Sequence, residues 1–183
     1  MRIVAGLWRG RTLIAPPGTA TRPTADRVRQ ALFDMLLHAP WAGRETLEGV
    51  HVLDLFAGTG ALGLEALSRG AAHATFVEQN RAALAALRAN IAACRAQDRC
   101  TVLAIDALAI PRGTPADLVF LDPPYGQDLV RRAVARLHAA NRLAPDALLV
   151  AETGRDEAAP TAHEILAERS HGAARLSIWR ETG

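Results

Sequence analysis

Residues 52–63 read Val-Leu-Asp-Leu-Phe-Ala-Gly-Thr-Gly-Ala-Leu-Gly, and this stretch decides the fold class. It begins as a short apolar run, which is typical of a buried strand, and leads into a helical pattern over residues 61–69. Gly58, Gly60 and Gly63 mark the turn between them, where glycines allow a tight bend and a close approach of the backbone to a ligand. The stretch therefore predicts the first strand–turn–helix unit of a nucleotide-binding sheet.

The alternation of strands and helices continues along the chain. Strands are predicted at residues 50–56, 74–77, 101–105, 118–121 and 147–151. Helices are predicted at 61–69, after Asn80, which is the expected N-cap, and after residue 128. Short apolar strands separated by helices predict an α/β fold, a parallel sheet with helices on both faces. Two further β segments are expected in residues 162–180.

Two elements are predicted before the sheet. Residues 2–14 favour two short strands joined by turns at Gly6 and Gly10. Residues 25–38 have apolar positions at helical spacing, with Thr24 as the expected N-cap.

Acidic residues follow most of the predicted strands. Because the carboxyl ends of parallel strands meet at one edge of the sheet, these carboxylates are expected to line one ligand-binding rim. Helix capping explains one or two such acids, but it explains the whole set less well. The strand-end acids are Glu78, Asp106, Asp122 and Glu152.

Asp54 discriminates among the ligands that the glycine loop could hold. A carboxylate at this turn would repel a pyrophosphate, whereas it can accept hydrogen bonds from an ammonium group or ribose hydroxyls. This favours S-adenosylmethionine over a dinucleotide, with a purely structural turn as the remaining alternative. Glu78 is placed to bind ribose hydroxyls of either ligand. Asp106 can accept from an adenine amine or cap a helix.

The tetrapeptide Asp122-Pro123-Pro124-Tyr125 follows the fourth strand and indicates the chemistry. Consecutive prolines stiffen the backbone and leave carbonyl acceptors without N–H donors. An acidic side chain and a carbonyl can together hold the two hydrogens of an exocyclic amine, while Tyr125 can stack on a base. An ordinary Asp-Pro turn is the alternative.

Arginine is concentrated near the start of the chain. The formal net charge of the 183 residues is +2, yet residues 1–30 hold six arginines and one acid. Arginine forks match phosphate geometry, so this segment favours a nucleic-acid partner over a merely solvated basic surface.

Composition excludes several other classes of protein. No apolar run reaches the length of a membrane span, and no secretory signal is expected. Cys94 and Cys100 are too few for a disulfide framework or a zinc site, and the histidines lack metal-binding spacing. We expect a cytoplasmic, metal-free protein with one domain over residues 1–183.

These motifs together resemble a class I S-adenosylmethionine-dependent methyltransferase that modifies amino groups. The stretches 2–11, 22–33 and 54–70 more closely resemble the bacterial RsmD family. Leu7 departs from the pattern, since a basic residue there would suit RNA contact better.

The resemblance implies a Rossmann-like fold with a seven-stranded, mostly parallel sheet and an N-terminal β-hairpin, residues 1–20, that contacts RNA. It also implies methylation of guanine N2 in 16S ribosomal RNA, in the assembled or assembling 30S subunit, by a monomer. Two alternatives stay open: a DNA amino-methyltransferase and a catalytically idle RNA-binding factor.

The predicted site has three parts. The catalytic residues are Asp122, Pro123, Pro124 and Tyr125. The residues predicted to bind S-adenosylmethionine are Asp54, Phe56, Ala57, Gly58, Thr59, Gly60, Glu78, Asp106 and Ala107. The residues predicted to contact RNA are Arg9, Arg11, Arg22, Thr24, Arg27 and Arg29.

Overall fold

A seven-stranded mixed sheet forms the centre of the protein in a computed structural model, which describes residues 1–16, 23–124, 126, 128–157 and 164–181. The strand order is β3-β2-β1-β4-β5-β7-β6. Strands β1 to β5 pair in parallel, and β7 runs antiparallel to both β5 and β6. The strands are β1 (His51–Leu55), β2 (His73–Val77), β3 (Cys100–Leu103), β4 (Ala116–Leu121), β5 (Leu143–Gly154), β6 (Glu164–His171) and β7 (Ala174–Arg180).

Four α-helices accompany these strands in the described ranges. The helices are α1 (Pro23–His38), α2 (Ala61–Ser68), α3 (Arg81–Ala93) and α4 (Leu129–Ala139). Every strand and helix predicted within or after the glycine-loop unit is confirmed to within a few residues. Helix α1 begins at Pro23, so the predicted N-cap at Thr24 is wrong: proline is favoured at the first helical position, where no N–H partner is needed.

Two apolar clusters cover the two faces of the sheet. On one face, Phe33 of α1, Leu64 of α2 and Leu87 of α3 pack with Phe76 and Phe120 of the sheet. On the other face, residues of α4 pack with Leu53, Val119 and Trp179. The helices therefore lie on both faces, as an α/β sheet buried on both sides requires. Among the described residues, no helix has the length and apolar character needed to cross a lipid bilayer.

The N-terminal segment is a loop with one bridge and lacks the predicted pair of strands. Arg2 and Thr12 form a single antiparallel bridge. Gly6 and Gly10 adopt positive φ angles of 80° and 82°, which places the turns where the sequence predicted them. The ladder is short because several N–H groups of the segment bond to helix α2 instead. The Leu7 N–H donates to the Ser68 carbonyl at 2.7 Å, and the Trp8 N–H donates to Ser68 Oγ at 2.9 Å.

Glu65 of α2 holds this N-terminal loop and helix α1 against the sheet. Its carboxylate is fully buried and accepts the backbone N–H groups of Val4 at 2.8 Å and Ala5 at 3.0 Å. It also pairs with Arg69 Nε at 2.8 Å and with Arg29 Nε at 3.6 Å. One buried acid thus joins three segments that are far apart in sequence.

We expect Glu65→Gln to destabilise the protein by about 3 kcal/mol, because it leaves the buried Arg69 guanidinium without its counter-ion and removes one of the two acidic partners of Arg29. Urea unfolding measures the change. The matched variant Glu168→Gln changes an exposed residue of β6 and should alter stability by less than about 0.5 kcal/mol. Equal small effects of both variants would contradict the role given to Glu65.

Candidate active site

The glycine loop lies where the carboxyl ends of β1, β2 and β4 meet. Strand β1 pairs with β2 on one side and β4 on the other. The strand order therefore reverses between β1 and β4, which is where ligands bind in open α/β sheets. A cavity of about 730 Å³ opens at this edge. Its lining includes Phe56, Glu78, Asn80, Ile105, Ala107 and Asp122.

The three glycines of the loop have different roles. A Cβ on Gly63 would lie 2.4 Å from Phe76 Cε1, so helix α2 can pack this closely only with glycine there. Gly60, at φ 78°, would bring a Cβ within 2.4 Å of Leu87 Cδ1. Gly58, at φ 54°, faces open space, which leaves the loop backbone accessible to a ligand. Phe56 adopts φ 85°, a strained value for a residue with a side chain.

Glu78 ties the glycine loop to the start of α3. Its Oε2 accepts the Gly58 N–H at 2.8 Å, and its Oε1 accepts the N–H groups of Gln79 at 2.9 Å and Asn80 at 2.7 Å. A carboxylate has about four lone-pair positions, so three are occupied and one stays available for a ligand hydroxyl. The Asn80 side chain caps α3, as predicted, by accepting from the N–H groups of Ala82 and Ala83.

Asp54 lies beneath the loop at 2% exposure. Its Oδ2 accepts the Gly63 N–H at 3.0 Å, which fixes the first turn of α2 to β1. Burial raises the pKa of Asp54 to about 7; the Gly63 hydrogen bond opposes this shift, and the nearby acids Asp122 and Glu78 add to it. The carboxylate is thus poised to gain from a cationic ligand.

Asp122 lies at the junction of two cavities. It borders the first cavity and a second one of about 430 Å³, enclosed by α1, the glycine loop and β5. Its side chain is exposed to these cavities, yet the surrounding protein desolvates it and raises its pKa to about 7, with a further contribution from Glu152. Pro123 is buried beside it, whereas Pro124 is exposed.

The second cavity brings together residues that the sequence did not group. Arg29, Asp54, Thr59 and Glu152 share its wall with Phe56 and Asp122, which also line the first cavity. The sequence marked Glu152 only as a strand-end acid. Arg29 was predicted to contact RNA, but it is only 5% exposed and pairs with Asp26 at 2.9 Å. Helix geometry could have revealed the Asp26–Arg29 pair, since the two residues are three apart.

Asp106 lies at the end of the strand–loop segment after β3. Its side chain accepts the Leu108 N–H at 2.9 Å and caps a short 3₁₀ helix, Ala107–Ala109. Of the two roles expected for Asp106, the observed contact is helix capping. Ala107 lines the first cavity.

The other predicted RNA contacts fall into two groups. Arg9, Arg11 and Arg27 are exposed, and Arg11 donates to the Ala93 carbonyl. Arg22, the side chain of Thr24 and the predicted catalytic Tyr125 lie outside the described residues.

The buried tryptophans and one cysteine are packing residues. Trp8 is buried under the Arg99 guanidinium, and Trp179 is buried between α4 and the sheet. Burial raises the pKa of the Cys100 thiol to about 12, which keeps it protonated and unreactive. Across the described residues, no group of three or more metal-binding side chains occurs.

The sheet order and this rim are those of a Rossmann-like class I methyltransferase. A solved structure described as "Putative methyltransferase yhhF from Escherichia coli" superposes with a TM-score of 0.85 at 37% identity, covering all of this chain and 98% of that one.

The family comparison narrows the class. The family model "Conserved hypothetical protein 95" matches residues 1–180, and the chain belongs to this family. It is 42% identical over 163 residues to Ribosomal RNA small subunit methyltransferase D of Escherichia coli K12, covering 88% of this chain and 78% of the relative. The protein of the same name from Haemophilus influenzae is 37% identical, covering 94% of this chain and 89% of the relative. The predicted membership of the RsmD family is confirmed.

We expect Asp54→Asn to stabilise the protein at pH 8 more than at pH 5. The folded pKa of Asp54 is raised above its unfolded value, so the contribution of Asp54 to stability is greatest below about pH 4 and is lost as pH rises through about 7. Asparagine keeps an acceptor for the Gly63 N–H without the charge. Urea unfolding at both pH values measures the difference, and an equal effect at pH 5 and pH 8 would contradict it.

Proposed function

We propose that this protein transfers a methyl group from S-adenosylmethionine to the exocyclic N2 of a guanine in 16S ribosomal RNA. The observation that carries the proposal is the position of Asp122 at the junction of two cavities that together can hold the methyl donor and the base. The names of the relatives in Escherichia coli and Haemophilus influenzae support rRNA as the substrate class.

The first cavity fits the nucleoside part of the donor. Glu78 keeps one acceptor position toward it and matches one ribose hydroxyl. The accessible backbone of Gly58 and the apolar side chain of Ile105 suit the nucleoside. Ala107 lies beside Asp106, whose remaining acceptor capacity suits an adenine amine. Together with Phe56, Ala57, Thr59 and Gly60, these residues would hold the donor.

The amino-acid part of the donor matches the charge pattern of the second cavity. Asp54, held at the floor of the loop, would accept from the ammonium group, and Arg29 lies on the same wall. The gain from pairing a buried carboxylate with a cation offsets the cost of ionising Asp54. When bound, the donor supplies a methyl group on a positively charged sulfur, which is already a good leaving group.

Asp122 and the carbonyl of Pro123 would hold the two hydrogens of the guanine amine. The N2 lone pair is ordinarily delocalised into the ring, and two acceptors in this arrangement favour a more tetrahedral, nucleophilic nitrogen. Guanine presents N1–H beside its N2 amine, and a carboxylate can accept from both. Asp122, with a pKa of about 7, is placed to take the proton that leaves the nitrogen.

RNA recognition is assigned to the N-terminal loop and the exposed side of α1. Arg9, Arg11 and Arg27 are exposed there and suit phosphate contacts, while Arg22, Thr24 and Tyr125 complete the proposed substrate surface. Arg29 instead acts as a positioning residue through its pairs with Asp26 and Glu65. The proposed partner is the 30S subunit, and the proposed enzyme is a monomer with one domain. It works without a metal and in the cytoplasm.

We expect Asp122→Ala to lower kcat by at least about 100-fold while the affinity for S-adenosylmethionine changes by less than about threefold, because Asp122 acts on the acceptor amine. Tritium transfer into N2-methylguanosine and calorimetry of donor binding measure the two effects. Asp98→Ala, an exposed acid in a 3₁₀ helix, is the matched control and should match the wild type. Retained turnover in Asp122→Ala would contradict this mechanism.

We expect Arg9→Ala and Arg27→Ala each to weaken RNA binding, because each removes one phosphate contact. The plot of log binding constant against log salt concentration should become shallower by about one unit of slope for each variant. Filter binding across a salt series measures the slope. Arg132→Ala, at an exposed position of α4, is the control. Unchanged slopes in both test variants would remove the N-terminal surface from the RNA interface.

A further inference from the structure

A third cavity, of about 480 Å³, lies at the opposite edge of the sheet from the proposed active site. It opens at the amino ends of the parallel strands, where His51 begins β1 and His73 begins β2. The loop before β4 borders it on one side. The basic and hydroxyl side chains that line it are His51, His73, Thr75, Thr101, Arg112, Thr114 and Arg142.

The cavity exists because this part of the sheet face carries little helical cover. The connection from β3 to β4 contains only the 3₁₀ helix Ala107–Ala109 within its described residues, and α4 packs farther along the same face. The loop residues Pro111, Arg112, Gly113 and Thr114 close the gap incompletely. The amino ends of β1, β2 and β3 are therefore reachable from solvent.

Arg142 is the unusual residue of this cavity. It is only 5% exposed, and its buried Nε has no hydrogen-bond partner. No ion pair joins it to any acid of the part of the chain that the structure describes. A buried guanidinium nitrogen without a hydrogen-bond partner is costly, so the Arg142 Nε–H is a candidate donor for a ligand.

The backbone holds Arg142 firmly in this position. Its carbonyl accepts the Ala116 N–H at 2.8 Å, and its own N–H donates to the Leu137 carbonyl at 3.0 Å. A Cβ on Gly113 would lie 1.9 Å from Arg142 Nη1, so glycine is what lets the guanidinium lie against the loop. The Arg142 guanidinium therefore lies against the Gly113 loop at the cavity wall.

The two histidines add donors beside Arg142. Their rings pack edge to face with centroids 5.0 Å apart, and their Nε2 atoms lie 3.3 Å from Thr75 Oγ1 and 2.9 Å from Thr101 Oγ1. Asp117 is the nearby acid, but it is engaged by the His51 N–H at 2.8 Å and does not line the cavity. The described lining therefore offers hydrogen-bond donors and positive charge without a carboxylate.

We propose that this cavity binds the oxyanion of a phosphate group, with Arg142 and Arg112 as the main ligands. Planar guanidinium groups match phosphate oxygens, and the histidine and threonine side chains can donate further hydrogen bonds. Either a free phosphate compound or the phosphodiester backbone of a nucleic acid carries this chemistry. The site is separate from the methyl-transfer site, and its occupancy does not depend on the proposed reaction.

Thermal unfolding in sodium phosphate, compared with sodium chloride at equal ionic strength, tests the proposal. At tenfold the dissociation constant, phosphate should raise the wild-type Tm by about 3–6 °C. Arg142→Met should lose this rise, and its Tm without phosphate should equal or exceed that of the wild type, because the uncompensated charge is gone. Arg112→Ala, at an exposed position, should lose at least half of the rise, and the exposed Arg88→Ala of α3 should keep it.

The NMR signal of the Arg142 Nε–H distinguishes the two sources of phosphate. A shift with inorganic phosphate alone supports a free phosphate ligand, and a shift also with a short RNA that lacks terminal phosphates supports the nucleic-acid backbone. The proposal is overturned if neither probe moves the signal, if chloride raises the Tm equally, or if Arg142→Met keeps the phosphate-dependent rise.

Discussion

The close packing of helix α2 on the sheet at Gly63 is the constraint on which the remaining structure depends. The absence of a side chain at Gly63 lets α2 approach Phe76, and the Gly63 N–H donates a hydrogen bond to Asp54. This fixes the glycine loop, which Glu78 then clamps from the next strand. Because α2 also carries Glu65, its position sets the N-terminal loop and α1 as well.

The proposed chemistry follows from where this packing leaves the carboxylates. Asp122 and Glu78 lie close enough to Asp54 at one rim to raise its pKa. Such a rim repels phosphate, so it suits a cationic donor and an amine acceptor. At the other edge of the same sheet the charge pattern is reversed, since Arg142 and Arg112 line a cavity without a described acid. The two edges therefore select ligands of opposite charge.

Local patterns in the sequence were sufficient for the strands and helices from β1 onward and for the Asn80 cap, because each depends on neighbouring residues. They were not sufficient for the N-terminal segment, whose N–H groups bond to the distant helix α2. The rim acids could also be predicted, since parallel strands align their carboxyl ends. Contacts between distant segments could not: the burial of Arg29 depends on Glu65, and that of Trp8 on α2 and Arg99. For the same reason, nothing in the sequence grouped Arg142 with His51 and His73.

The most direct test of methyl transfer to guanine N2 uses methyl-tritiated S-adenosylmethionine with three substrates. These are 30S subunits that lack the modification, their naked 16S RNA, and duplex DNA, each digested afterwards and separated by nucleoside. We predict label in N2-methylguanosine from at least one ribosomal substrate, and the ratio between the two shows whether the assembled subunit is preferred. Label in DNA alone, or donor binding without any label, would contradict the proposed function.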